Sequence, residues 1–275
     1  MLSVSIIIPY FDREHTIRRC LESIKIGQHL SVEVIIVDDH SDIPLENDIN
    51  SLITVVRLGV NMGPVAARSH GASYAKHDYL MFLDSDDELL PEWYASLSNV
   101  ITKNPTTDFL GFPDSKYGGN ISHDLKSSDD YWKWVPLTTR ASDYLIVITA
   151  SAYKRLPMPK LRISEIWYLA QLFEVGLTAH YSEKPIFTYH QDSGNQLSKR
   201  RFSRFKTSKY IRKSLLYSIK VFNKNEDLIK RHAKTYYYAW LKRFFKESVL
   251  SMSIVNLGTL LRSKHEVLRS LSGKR

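Results

Sequence analysis

Hydrophobic residues fall in short, nearly unbroken runs through the first third of the chain and at helical intervals near its end. The runs are residues 4–8 (Val-Ser-Ile-Ile-Ile), 32–37 (Val-Glu-Val-Ile-Ile-Val) and 79–83 (Tyr-Leu-Met-Phe-Leu). A strand that is apolar on both faces belongs in a parallel sheet covered by helices on each side. Residues 53–58 (Ile-Thr-Val-Val-Arg-Leu) predict a further strand. Between the first two runs Ile17, Cys20, Leu21 and Ile24 recur at helical spacing. Pro64 opens a second predicted helix, reaching about Lys76, at a position where its missing N–H costs little. The order β-α-β-β-α-β predicts an α/β layer fold with right-handed crossovers. The pattern weakens from 105 to 145. A strand at 144–149, a helix at 164–174 ended by Gly176 and a strand at 185–189 then restore it. Trp132 and Trp134 stand among polar residues, which predicts partial exposure; Trp167 reads as core.

Polar residues sharpen this frame at two strand ends. Asp38 and Asp39 follow one run, and Asp84, Asp86 and Asp87 follow another. Open α/β sheets bind ligands beyond the carboxyl ends of their strands. A single acidic cluster could be a helix cap or a turn, but two at equivalent ends define one candidate site. In an extended segment residues two apart face the same way, so Asp84 and Asp86 can address one ligand. Carboxylates repel a nucleoside diphosphate unless a divalent cation lies between them. Mg2+ and Mn2+ take such oxygen ligands and keep positions open for phosphate and water.

Four pieces occur in order: Val-Ser-Ile-Ile-Ile-Pro-Tyr-Phe, Val-Ile-Ile-Val-Asp-Asp-His-Ser, Asn61-Met-Gly-Pro-Val-Ala-Ala-Arg68-Ser-His-Gly71 and Phe82-Leu-Asp-Ser-Asp-Asp87. Together they resemble the successive motifs of family 2 glycosyltransferases. The resemblance is strong over the first 100 residues or so and weak to about residue 200. It implies the GT-A fold, a Rossmann-like and mostly parallel sheet flanked by helices, over residues 1–200. It also implies an inverting transfer from a nucleotide-diphosphate sugar, with UDP as the expected nucleotide and Mn2+ or Mg2+ as the cofactor. By the same resemblance Pro9 and Tyr10 line the nucleotide pocket, Asp39 bonds the uracil or ribose, and Arg68 approaches the base or diphosphate. Asp84 and Ser85 fall in the donor-binding segment, and Asp86 ligates the metal. His190, with the loop 191–198 after it, would reach metal or phosphate. The family's usual setting implies a glycan or lipid-linked acceptor in bacterial surface-polysaccharide synthesis at the cytoplasmic face of the membrane.

Two positions depart from the family pattern. His40 stands where Gly is usual, and His takes up unusual turn conformations less readily, so an altered turn is expected there. Ile166 stands where the family carries its Asp base. Inverting transfer needs a carboxylate beside the acceptor hydroxyl, and Glu165, behind Ser164 as N-cap, is the residue left for this role. The other reading of Glu165 is a first-turn acid favoured by the helix dipole. Asp143 and Asp192 are the fallback carboxylates. If none serves, the chain is a nucleotide-sugar or glycan-binding protein of the same fold.

Charge then divides the molecule. The 275 residues carry +9 overall, but residues 196–275 hold 21 Lys/Arg against 4 Asp/Glu. Residues 204–222 and 228–249 carry apolar positions at helical spacing, so 201–275 reads as a basic amphipathic helical region. An anionic membrane surface is one partner for it; a cap packed on the catalytic domain is the plainer alternative. No nucleic-acid motif accompanies the charge. One cysteine, Cys20, excludes an internal disulfide and fits a reducing compartment. The N-terminal run is too short, and lacks the basic flank, for a signal peptide, and Val249–Leu261 is too short and polar to span a bilayer. A nucleotidyltransferase or dehydrogenase would need a glycine-rich loop after the first strand, where Pro9-Tyr10-Phe11-Asp12 stands.

Overall fold

The computed structural model describes residues 2–25, 31–45, 52–116, 122–137, 144–190, 209–250, 255–256 and 259. Asp143, Asp192 and the loop 191–198 lie outside these residues. Ten strands and nine α-helices are present among them. The first half runs β1 (Val4–Tyr10), α1 (Glu14–Ile24), β2 (Val32–Asp38), β3 (Ile53–Arg57), α2 (Pro64–Ala72), β4 (Tyr79–Phe82), β5 (Glu88–Leu89) and α3 (Trp93–Lys103). Then come β6 (Phe109–Phe112), β7 (His123–Leu125), α4 (Ser128–Trp134), β8 (Leu145–Thr149), α5 (Ala150–Arg155), α6 (Glu165–Leu169), β9 (Ala179–Tyr181) and β10 (Phe187–Thr188). Three helices close the described chain: α7 (Lys209–Lys224), α8 (Glu226–His232) and α9 (Lys234–Leu250).

Eight strands form one sheet in the order β3-β2-β1-β4-β8-β6-β9-β7, and β10 pairs with β5 in a small second ribbon. The pairs β3·β2, β2·β1, β1·β4 and β6·β9 are parallel, while β8 and β7 run against their neighbours. The unbroken hydrophobic runs follow from burial on both faces. Along β1, Ile7 enters one core, with α2, while Ile6 and Ile8 enter the other, with α1. Gly71 lets α2 sit close: a Cβ there would lie 2.5 Å from Ile7 and 2.9 Å from Val37. This contact seats the last turn of α2 on β1 and β2.

The basic C-terminal helices share a core with the sheet. Ile219, Phe222, Tyr237, Leu241 and Phe244 are buried in the same cluster as Ile7, Trp132 and Trp167. Trp167, read as core, is core. Trp132 and Trp134, expected to be partly exposed, are 0% and 3% exposed. The polar neighbours misled because they cap and face outward: Ser127 Oγ accepts from the Asp130 N–H at 3.1 Å, and Asp129 pairs with Lys133 at 2.6 Å. The Trp132 indole N–H donates to Asn225 Oδ1 at 2.9 Å, so its polar edge is satisfied inside.

Three helix boundaries also differ. The segment 164–174 is α6 plus a separate 3-10 turn at Phe173–Val175, with Gly176 at φ +69°. The helix expected over 228–249 is interrupted at Ala233, and α2 stops at Ala72, short of Lys76.

Candidate active site

The parallel strands β1, β2 and β4 end at one edge, and a cavity of about 330 Å³ opens there. Its walls include Pro9, Tyr10, Arg13, Asp39, Asn61, Arg68, Asp84, Ser85, Asp86, Glu165 and Tyr189. Every residue expected to contact the donor lines one hollow except His190, although they come from four separate parts of the chain.

The two aspartates after β2 have different tasks. Asp38 is buried within the turn, accepting the Ser41 N–H at 2.8 Å and pairing with Arg57 at 2.5 Å. Asp39 turns to the cavity. Its Oδ1 accepts the Met62 N–H at 2.6 Å and its Oδ2 the Gly63 N–H at 2.7 Å. Burial pushes the Asp39 carboxyl up to about 6, against the lowering effect of those two N–H donors and of Arg162. Each carboxylate oxygen keeps acceptor capacity for a base or ribose donor. The turn after it keeps a left-handed residue, since His40 sits at φ +66°, the region a glycine would take up without strain. His40 therefore adopts a backbone conformation that its residue type takes up less readily than glycine. Gly63 meets the same demand at φ +87°, and a Cβ there would lie 3.1 Å from the Arg162 side chain.

The acidic segment after β4 is tied to arginines. Arg68, on α2 and 6% exposed, bridges Asp84 and Glu165 with its two terminal nitrogens, and its Nε has no hydrogen-bond partner among the described residues. Arg13 donates to Asp86 Oδ2 at 2.8 Å, with both side chains largely buried. Arg19 donates to the Asp86 backbone carbonyl at 2.8 Å. Asp87 points away from the cavity, taking the His190 N–H at 3.3 Å, and burial followed by the repulsion of Asp84 and Asp86 pushes it well above the usual carboxylate range.

Glu165 opens α6 with Ser164 at the N-cap position, but the serine side chain makes no capping bond. Ile166 packs against the hydrophobic core, so 165 is the position that faces the cavity. The His190 ring pairs with Glu88 at 2.5 Å, on the β5–β10 ribbon, while its neighbour Tyr189 supplies the cavity wall.

Residues 5–152 match the sequence model of Glycosyl transferase family 2. The chain belongs to that family. Among curated relatives it is 37% identical over 112 residues to an uncharacterized glycosyltransferase of Haemophilus influenzae, a match covering 40% of this chain and 38% of that one. It is 34% identical over 113 residues to the succinoglycan biosynthesis protein ExoW of Rhizobium meliloti, covering 38% and 35%. These matches span little more than a third of either relative. Among solved structures, S. aureus TarS 1–349 in complex with UDP-GlcNAc superposes with TM-score 0.58 at 15% identity, covering 98% of this chain and 81% of that one. GalNAc-T7 with UDP, GalNAc and Mn2+ superposes with TM-score 0.58 at 18% identity, covering 81% and 48%. These likenesses establish the GT-A fold.

Arg13 and Asn61, both in the cavity wall, escaped the sequence reading, as did Arg162, which stands behind Asn61. Arg13 follows Pro9-Tyr10-Phe11-Asp12 directly, and Asn61 opens a quoted motif, so their position just past a strand was the available signal. Arg162, which bonds Asn61, had none; it reaches the site across 101 positions of sequence.

Proposed function

We propose that this family 2 chain transfers a sugar, with inversion, from a nucleoside-diphosphate donor, UDP by preference, to a glycan or lipid-linked acceptor of a surface polysaccharide. One observation carries this reading: Asp39, Arg68, Asp84, Asp86 and Glu165 meet in a single cavity at the carboxyl edge of the sheet. Asp39 takes a donor N–H or hydroxyl of the nucleoside, between Tyr10 and Asn61. Arg68 has a spare Nε–H and a rigid planar fork suited to phosphate oxygens.

A divalent cation fits the donor set. Asp84 and Asp86 offer hard carboxylate oxygens to one hollow, and no cluster of three ligating side chains exists among the described residues. Mg2+ and Mn2+ are held in this way, by one or two carboxylates with phosphate oxygens and water completing the shell. When bound, such an ion neutralises the charge gathering on the leaving diphosphate. Asp86 is the principal ligand in this reading and Asp84 the donor-facing neighbour. His190, bonded to Glu88, would have to leave that partner to serve as a ligand.

The transfer itself is a displacement at the anomeric carbon. The acceptor oxygen forms a bond to that carbon, the bond to the diphosphate oxygen breaks, and the acceptor proton passes to Glu165. An arginine-paired carboxylate is a poor base. Arg68 must therefore turn from Glu165 towards the diphosphate as the donor binds, which raises the basicity of Glu165 when it is needed.

Helices α7 to α9 supply the acceptor side of the reading. None among the described residues is long and apolar enough to cross a membrane. Lys234, Lys242, Arg243 and Lys246 are exposed along α9 and would rest on anionic lipid at the cytoplasmic face, each worth about 1 kcal/mol. A relative in Campylobacter jejuni, 28% identical over 110 residues, is named for a PP-undecaprenol substrate, which supports a lipid-linked acceptor. The test is release of UDP from a panel of UDP-sugars with Mn2+. UDP bound tightly, with no turnover on any donor or acceptor, would leave the chain a binding protein.

A further inference from the structure

We propose that Arg13 is an internal counter-cation, holding the carboxylate of Asp86 in the resting site and surrendering it only when a divalent cation arrives with a nucleoside diphosphate. The inference rests on the reading of Asp86 as a metal ligand and goes beyond it, by assigning a cation already built into the protein to the same carboxylate.

Arg13 stands immediately before α1, and its backbone is pinned there. Its carbonyl accepts the Thr16 N–H at 3.1 Å and the Ile17 N–H at 3.0 Å, closing the first turn. Its side chain, 12% exposed, forms part of the cavity wall and donates Nη1 to Asp86 Oδ2 at 2.8 Å. Arg19, on the same helix, makes a different contact to the same residue, through the Asp86 backbone carbonyl at 2.8 Å. The division matters. Arg19 fixes where the peptide lies, and that bond survives any exchange at the carboxylate. Arg13 holds the carboxylate itself, on the cavity side, where a ligand can replace it.

The charges around the hollow decide when replacement is favourable. Asp84 is held by Arg68 and Asp86 by Arg13, so neither carboxylate faces the cavity uncompensated. A cation arriving alone must separate Asp86 from a largely buried guanidinium. Breaking a buried pair on one side is costly. A diphosphate arriving alone brings negative charge towards two carboxylates. When both arrive, the ion takes Asp86 and the guanidinium takes a phosphate oxygen, so every charge keeps a partner. Arg13 thus penalises empty-handed metal binding and adds to the coupling between metal and donor. That coupling is reciprocal by thermodynamic necessity.

Direct Mn2+ binding to the full chain, followed by the electron paramagnetic resonance of free Mn2+, tests this without reference to turnover. Titrations are run without nucleotide and with saturating UDP, on the native chain, R13Q, R13K and D86N. The native chain is expected to bind Mn2+ weakly alone and at least about fivefold more tightly with UDP, within the usual range of coupling. R13Q is expected to bind Mn2+ alone about tenfold more tightly than the native chain, with the gain on adding UDP reduced accordingly. A residue that merely supported the fold would weaken metal binding when removed, so a rise is the specific signature. In the D86N background R13Q should change nothing, because the shared carboxylate is gone.

Mn2+ binding to R13Q alone that is no tighter than native overturns the role of Arg13 while leaving the donor site intact. Absence of Mn2+ binding to the native chain, even with UDP, overturns the metal reading itself. If R13Q fails to fold, R13K decides: it keeps the positive charge, so weak binding of Mn2+ alone supports the proposal and loss of the UDP coupling refutes it.

Discussion

The carboxyl edge of the sheet and the C-terminal helices solve opposite problems with charge. At the edge, carboxylates are tied to guanidiniums: Asp38 to Arg57, Asp84 and Glu165 to Arg68, Asp86 to Arg13. On α9 the lysines stand in solvent, and the stabilising contacts are aromatic. Trp240 lies 4.9 Å from Trp167 and Phe244 5.5 Å from it, centre to centre. A site that must exchange partners with a ligand stores charge in pairs. A region that must hold position stores its free energy in rings. The regions meet at α6, where Glu165 faces the cavity and Trp167, two residues on, is held by the C-terminal helices. Arg162, three residues before Glu165, has its backbone N–H held by Ser214 Oγ of α7 at 3.1 Å.

Breaking the aromatic side of this comparison should have the largest effect on stability. Trp167→Ala removes a ring packed against Trp132, Phe222, Trp240 and Phe244. Such a truncation costs about 3–5 kcal/mol, read as a large fall in the midpoint of chemical unfolding. Loss of under about 1 kcal/mol would mean that the C-terminal helices are not part of the core.

Breaking the polar side should cost function and little stability. Asp39 titrates near 6, raised from the ordinary carboxylate value by burial. Donor binding uses the ionised form, so UDP affinity should be full well above pH 6, fall by about half at pH 6 and be about tenfold weaker at pH 5. Stability runs the other way. Because the folded carboxyl has the raised pKa, its contribution is fully present below the unfolded value and is lost as pH rises through about 6. Asp39→Asn should flatten both profiles; a UDP affinity that keeps its pH dependence in this variant would place the titrating group elsewhere.

Smaller still is the effect expected at the solvent face of α9. Lys242→Gln should weaken partition onto anionic vesicles by about 1 kcal/mol and change stability by less than about 0.5 kcal/mol. Vesicle binding indifferent to this change would remove the lipid surface from the account. Asp87→Asn should be the quietest change of all, since burial already disfavours the charged form of this carboxyl and its bond to the His190 N–H survives in the amide. Thermal unfolding within a degree or two of native checks it.

How much of this was legible in sequence follows the same divide. β1, β2 and β4 declared themselves because strands buried on both faces leave no polar alternation, and the donor residues other than Arg68 of α2 sit within a few positions of those strand ends. That information is local. The burial of Trp132 and Trp134 is not: it depends on Asn225, 93 positions away, and on helices whose composition advertises charge before packing. The polar stretch Ser127–Asp130 is a cap and an outer face, and composition alone shows neither. His40 is a separate case. Surrounding hydrogen bonds over-determine the turn, from Asp38 to the Ser41 N–H and from Asp39 to Met62 and Gly63, so the backbone holds φ +66° without a glycine. Pairing between charged side chains was invisible throughout, since sequence lists arginines and carboxylates without saying which will meet.

The central claim is that Glu165 performs the chemistry in a site whose acidic edge only holds the donor. The most direct measurement is UDP release from the preferred UDP-sugar by Glu165→Gln, with UDP affinity measured on the same preparation. Removing a general base of this kind lowers turnover by about 10²–10⁴-fold, and the account expects that loss with UDP affinity within about threefold of native. Turnover within threefold of native would contradict it and move the base elsewhere.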